Sequence, residues 1–172
     1  MSTALLSLIL LAQSPFVAEG VIKEVSGGPG TTMVELRMDA GERVLLLPRG
    51  ELDPNELRSL STVRVRVRGE RGDPAGPGGT YARIDTYEIL DVGKGAVPRV
   101  GILGQLELQG EKRLVFVDDA GQADVLPKGW GQKLGGSVGA KLWMVGTGSG
   151  ENFAPTRFQV LRPKKKAPSA TP

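Results

Sequence analysis

The sequence predicts an all-β protein built from two tandem small five-stranded barrels, and three observations predict it. First, one hairpin signature occurs twice: Asp39-Ala40-Gly41, a short apolar run and Leu47-Pro48-Arg49-Gly50, then Asp119-Ala120-Gly121, another short run and Leu126-Pro127-Lys128-Gly129. Second, each copy follows residues of high β-propensity (Val34 to Met38; Leu114 to Val117) and precedes a further strand-like run (Val63 to Arg68; Val138 to Val145). Third, the 172 residues divide on this repeat into units of about 70 residues, a size at which one small core can just stabilise a fold.

Residues 4–12 are an uncharged apolar block followed by Gln13-Ser14. About nine residues is the length of a signal-peptide core and too short to cross a bilayer. Ala12-Gln13-Ser14 has the small-x-small form of a cleavage site, so residues 1–14 are expected to be a signal peptide cut near Ser14, with export to the periplasm or the medium. The n-region lacks Lys and Arg, and Pro15 follows the cut, which leaves a packed apolar helix or a retained anchor as the alternative. No transmembrane span is expected in the mature chain.

Residues 16–92 form the first expected domain. Phe16 to Val25 reads as a strand, Gly27-Gly28-Pro29-Gly30 as a loop, and Thr32 to Met38 as a half-buried strand with Val34, Leu36 and Met38 on one face. Asp39-Ala40-Gly41 makes a short hairpin connection in which Gly41 is free to take positive φ, and Arg43 to Leu47 returns as the third strand. Asp53-Pro54-Asn55-Glu56 carries a helix start, with Asp as N-cap, Pro at the first helical position and Glu three residues after the cap. Leu57 and Leu60 would face the core. A short helix between third and fourth strands is what an OB-type barrel places there. Thr62 to Arg68 alternates valines inward with Arg64, Arg66 and Arg68 outward, Gly69 to Gly79 is a Gly/Pro-rich loop, and Thr80 to Leu90 is the fifth strand.

A linker at 93–98 leads to the second expected domain at 99–162. Its strands are Arg99 to Leu108, Lys112 to Asp118, Gln122 to Leu126, Ser137 to Val145 and Asn152 to Leu161. Between the third and fourth, Trp130 to Gly136 holds three glycines in seven residues, so a single helical turn is the most expected there. Residues 163–172, a basic tail low in hydrophobics, are expected to be disordered.

Composition restricts the chemistry. The chain has neither cysteine nor histidine, which removes disulfides, thiolate chemistry, the usual zinc and haem ligands, the hydrolytic triads and the common general base at neutral pH. No enzyme, metal or cofactor is expected. Charge is uneven: residues 16–92 hold 10 Lys and Arg against 13 Asp and Glu, residues 93–163 hold 9 against 6, and the tail adds Lys164, Lys165 and Lys166. This is no general polycation, but an acidic half followed by a mildly basic one.

In the second copy, Leu114 to Gly121, then Trp130, then Ala140 to Gly146 resembles the bacterial OB-fold family of small periplasmic proteins. There a strand ending in Asp and a Gly turn leads to a second strand, a Trp-containing segment and a strand closed by Gly. The match covers about 60 residues, and the first copy fits in outline, without the Trp. The resemblance implies a periplasmic binding module without catalysis, in a family whose ligands vary.

Three groups of residues are candidate sites. Arg64, Arg66 and Arg68 can track a phosphate or polysaccharide backbone, or form a solvated strand face that blunts an edge, with Glu35 as a neutralising partner. A single-stranded nucleic acid needs aromatic platforms in a positive groove, which the second copy offers in Phe116 and Trp130 with Lys112, Arg113, Lys128 and Lys133 nearby. Phe116 can instead face the core, and Trp130 can plug the barrel where the helix is reduced. Asp118, Asp119 and Asp124 fall short of the six to eight oxygens calcium takes and read as turn residues. The function expected is an exported, non-catalytic tandem OB-fold module binding a protein or envelope component. A single-stranded nucleic-acid or polyanion binder working through the basic second barrel is the alternative.

Overall fold

The computed structural model describes residues 14–72 and 80–164 and is mainly β. All but Ser14 of the expected signal peptide, most of the Gly/Pro loop and most of the basic tail lie outside the described residues. The first sheet comprises β1 (Pro15–Gly28), β2 (Thr31–Arg37), β3 (Arg43–Pro48), β4 (Arg64–Arg71) and β5 (Tyr81–Asp91), with α1 (Pro54–Ser59) between β3 and β4. It is a closed barrel in the order β1-β2-β3-β5-β4, antiparallel except for the β3–β5 pair that closes it. The long β1 serves two neighbours: Pro15 to Val21 pairs with β4 and Val21 to Gly28 with β2.

Helix α1 starts as its sequence dictates. The Asp53 carboxylate accepts the Asn55 backbone N–H at 2.8 Å, Pro54 opens the first turn, and Leu57 and Leu60 are fully buried. The alternation of β4 also holds, with Val63, Val65 and Val67 in the barrel core beside Ile22, Leu36, Val44 and Ile84.

The second sheet comprises β6 (Arg99–Leu108), β7 (Glu111–Asp118), β8 (Ala123–Val125), β9 (Lys141–Thr147) and β10 (Ala154–Arg162). Its order, β10-β9-β6-β7-β8, repeats position for position the fifth, fourth, first, second and third strands of the first half. The expected second barrel is not closed, however. In the first half the Leu45 N–H donates to the Thr80 carbonyl at 3.0 Å and the Arg49 N–H to the Ile84 carbonyl at 2.9 Å. In the second, β8 is three residues long and β10 pairs only with β9. Phe153 and a 3-10 turn at Gly150–Asn152 pack where the closing strand would run. Helix α2 (Trp130–Leu134) is the expected short turn, extended by a 3-10 turn over Gly135–Ser137, so the strand expected from Ser137 begins only at Lys141.

The repeat is geometric as well as sequential. Gly41 and Gly121 take φ of 85° and 82°, and each donates its N–H over 2.9 Å, to Met38 and Asp118 respectively. The strand glycines Gly20 and Gly101 are matched too. A Cβ on Gly20 would lie 2.4 Å from the Arg37 carbonyl oxygen, and one on Gly101 would lie 2.2 Å from that of Val117. Only a missing side chain lets the crossing backbones approach so closely.

The halves share one buried surface. Leu142 and Met144 of β9 face the second core, while Trp143 joins the core of the first barrel with Leu161 of β10, and Val100 and Val145 pack against it. A strand buried on both faces reads as the continuous apolar run Leu142-Trp143-Met144-Val145.

Candidate functional site

The arginines of β4 are occupied by carboxylates. Arg64 makes a bidentate pair with Asp39 at 2.9 and 2.6 Å, and Arg66 bridges Glu19 at 2.8 Å and Glu88 at 2.7 Å. Both guanidinium pKa values are raised by hydrogen bonds to these partners, and Asp39 is held below its ordinary value by Arg64. Arg68 is exposed and has no ion-pair partner among the described residues. Glu35 pairs with Arg37 at 2.7 Å and not with any β4 arginine. Arg49, bound to Asp85 and Glu70, and Arg71, bound to Glu42, extend this lattice of ion pairs. The positive charge of Arg64 and Arg66, considered as an anion track, is thus balanced locally by carboxylates, whereas that of Arg68 is not.

In the second half, Phe116 is fully buried in the core with Leu103, Leu114 and Leu142, so it offers no stacking platform. Phe116 shares the inward parity of β7 with Leu114, which the run Val115-Phe116-Val117 alone does not decide. Trp130 is half-buried at the start of α2, edge-on to Phe158 with centroids 5.5 Å apart, and the Lys133 ammonium lies 4.9 Å from its ring. This indole packs against the second core where the reduced helix leaves space.

Three of the four basic candidates do converge. Lys112, Arg113 and Lys128 line a cavity of about 330 Å³ with Leu114, Leu126 and Gly131. Lys128 bonds Glu111 at 2.6 Å, which lowers the Glu111 pKa, and the Arg113 Nη2 donates to the Leu126 carbonyl at 3.1 Å. The Arg113 Nε is buried without a partner. Lys133 lies apart, over Trp130.

Two of the three candidate carboxylates, Asp118 and Asp124, are held within the fold. Asp118 accepts the backbone N–H groups of Ala120 and Gln122 at 3.1 and 2.8 Å, a side-chain turn. Asp124 is fully buried, pairs with Arg99 and accepts the Gly150 N–H at 2.6 Å. Arg99 in turn lies over Phe153, 4.6 Å from its centroid. Among the described residues no group of three or more acidic side chains is arranged to hold a metal ion.

A second buried polar cluster was invisible as a site in the sequence. Glu56, with 1% exposure, accepts the Tyr87 hydroxyl at 2.5 Å and the Lys141 ammonium of the second half at 2.6 Å, with Arg162 at 3.8 Å. Its carboxylate does not close the capping box expected of a Glu at that position. Burial, followed by the bond to Glu56, pushes the Tyr87 hydroxyl well above its ordinary pKa. Residue spacing gave no sign of this, because the partners lie 31 and 85 positions away. Beside it, Tyr87, Val97, Pro98, Asp119 and Lys141 line a cleft of about 320 Å³ between the halves. No protein-family model matches the chain, and no curated protein is similar to it.

Proposed function

We propose that the protein is an exported, non-catalytic module of two OB-type units that binds another protein or an envelope component. The observation that carries this reading is the commitment of its reactive side chains. Asp118, Asp124 and Glu56 are held by backbone or cationic partners inside the fold, and Tyr87 is tied to Glu56, so the usual acid, base and nucleophile roles have no free group at these positions. The shared strand order of the halves, with α1 between third and fourth strands, supports the OB-type assignment of both units, the second being open on one side. The resemblance of the second copy to the bacterial OB-fold family, and the apolar leader before Gln13-Ser14, support the compartment.

Fractionation of cells making the full chain, with N-terminal sequencing of the recovered protein, tests export. A start near Pro15 outside the cytoplasm agrees with the reading, and an intact N-terminus in the cytoplasm contradicts it.

The cavity that gathers Lys112, Arg113 and Lys128 favours a second reading, a polyanion or single-stranded nucleic-acid binder. Without an exposed stacking ring at Phe116, such binding would rest on charge and fall steeply with salt. No mobility shift of a single-stranded oligonucleotide at low salt would remove this reading.

A further inference from the structure

We propose that the cleft between the halves receives an arginine side chain of the partner protein, its guanidinium seated on the Asp119 carboxylate. The inference rests on the protein-binding reading above and names the side chain that the partner supplies.

The duplication shows which group belongs there. Val21 pairs with Arg37 on one side and Arg64 on the other, and Ile102 pairs with Val117 and Lys141, so Arg64 and Lys141 hold the same place in the two sheets. Two residues beyond Arg37 and Val117 stand Asp39 and Asp119, the first residues of the repeated turns. Those turns coincide in detail. The Met38 and Asp118 N–H groups donate to the Glu42 and Gln122 carbonyls over 3.0 Å, and those of Gly41 and Gly121 donate back over 2.9 Å. In the first half Asp39 holds the Arg64 guanidinium by two hydrogen bonds. In the second, Lys141 stands in place of Arg64 and is drawn away to Glu56 at 2.6 Å. Asp119 therefore presents the same carboxylate on the same turn, exposed and without an ion-pair partner among the described residues. An exposed aspartate is ordinary by itself; here the other copy shows what it can hold.

The surroundings suit a cation on an apolar stem. The cleft of about 320 Å³ that Asp119 lines is lined also by Val97, Pro98 and Ala120. Val97 is 70% exposed, and this apolar surface can take the methylenes of an arginine. The other charges of the cleft balance without Asp119: Arg99 pairs with Asp118 and Asp124, Lys141 and Arg162 with Glu56, and Glu88 with Arg66. The excess charge is thus the Asp119 carboxylate. Its field reaches into the cleft, since it adds to burial and the Glu56 bond in raising the Tyr87 hydroxyl above its ordinary pKa. A planar guanidinium meets a carboxylate through two parallel hydrogen bonds, which an ammonium cannot reproduce, so the occupant is arginine rather than lysine.

The test titrates the full chain with N-acetyl-arginine methylamide, up to roughly 100 mM so that weak binding is covered, and follows the backbone amide signals. The expected result is saturable shifts centred on Val97, Asp119 and Ala120, with affinity lowered roughly threefold or more by Asp119→Asn and kept in Asp39→Asn. The Asp119 side chain bonds nothing among the described residues, so Asp119→Asn should fold with unchanged Tm. The lysine analogue should bind more weakly, and the citrulline analogue, which keeps the shape without the charge, should not bind. Equal shifts from either analogue, unchanged affinity in Asp119→Asn, shifts centred elsewhere, or no saturable shift would each overturn the proposal. Crosslinking in the cells that produce the chain separates this inference from the reading beneath it. Capture of a protein by the wild type and its loss in Asp119→Asn is expected. Equal capture by both removes the cleft while protein binding stands, and capture of no protein by either removes both.

Discussion

The Lys141 ammonium of the second half lies 2.6 Å from the Glu56 carboxylate of the first barrel, and Glu56 is only 1% exposed. A buried carboxylate is stable only while its partners are present, so this pair makes the fold of one half depend on the position of the other.

Removing Lys141 alone, as Lys141→Met, should therefore cost about 3–5 kcal/mol, because it leaves a buried charge with Tyr87 and the more distant Arg162 as its remaining partners among the described residues. Glu56→Gln combined with Lys141→Met should cost clearly less than the sum of the single changes. Urea unfolding of the four proteins in a double-mutant cycle gives the coupling directly.

Tyr87 makes stability fall at alkaline pH. Its pKa is raised in the folded state, so above the unfolded value of 10.0 the unfolded chain loses a proton that the folded chain keeps. Stability contributed by the buried hydroxyl is fully present below pH 10 and declines above it, by up to about 1.4 kcal/mol per pH unit. Denaturation curves between pH 8 and pH 11 should show the decline in the wild type and a flatter profile in Tyr87→Phe, the pH values being about two units below and one above that pKa.

The paired strand glycines give matched stability probes. Gly20→Ala and Gly101→Ala each force a Cβ to within 2.4 Å or less of a crossing carbonyl oxygen. Both should lower Tm by several degrees, as overpacking typically costs about 1–3 kcal/mol. An unchanged Tm for either would mean the two backbones do not cross so closely.

On the outer face of the first barrel the expectation is the reverse. Arg64→Ala and Arg66→Ala remove exposed ion pairs, so Tm should shift little and the shift should shrink further as salt is raised. Heparin binding at low salt should be unaltered, since both guanidinium groups already have carboxylate partners. A marked loss of heparin binding would restore the anion track.

Local chemistry explains what the sequence made legible. The Asp-Ala-Gly turns, the Asp53-Pro54 helix start and the Val-Arg alternation of β4 depend on neighbours within a few positions, and all appear as expected. What depends on distant partners was not legible. The inward parity of Phe116, the two-faced burial of Trp143 and the Glu56–Lys141 pair are decided by packing across tens of residues. The open second sheet follows from a subtler difference. The second copy has one residue fewer between its Gly turn and its Leu-Pro pair, and Phe153 fills the gap that a closing strand would occupy. Trp143 stood in the sequence only as part of a family-like strand, yet it ties the halves together, and its burial predicts that Trp143→Ala costs about 3–5 kcal/mol.

The most direct test of the account is crosslinking of the full chain, tagged at its C-terminus, in intact cells that produce it, with the captured material identified by mass spectrometry. The account predicts a protein partner recovered in saturable yield, and loss of that capture in a Trp143→Ala variant only under conditions where the variant is unfolded. Capture confined to nucleic acid, with yield collapsing as salt is raised, would contradict it.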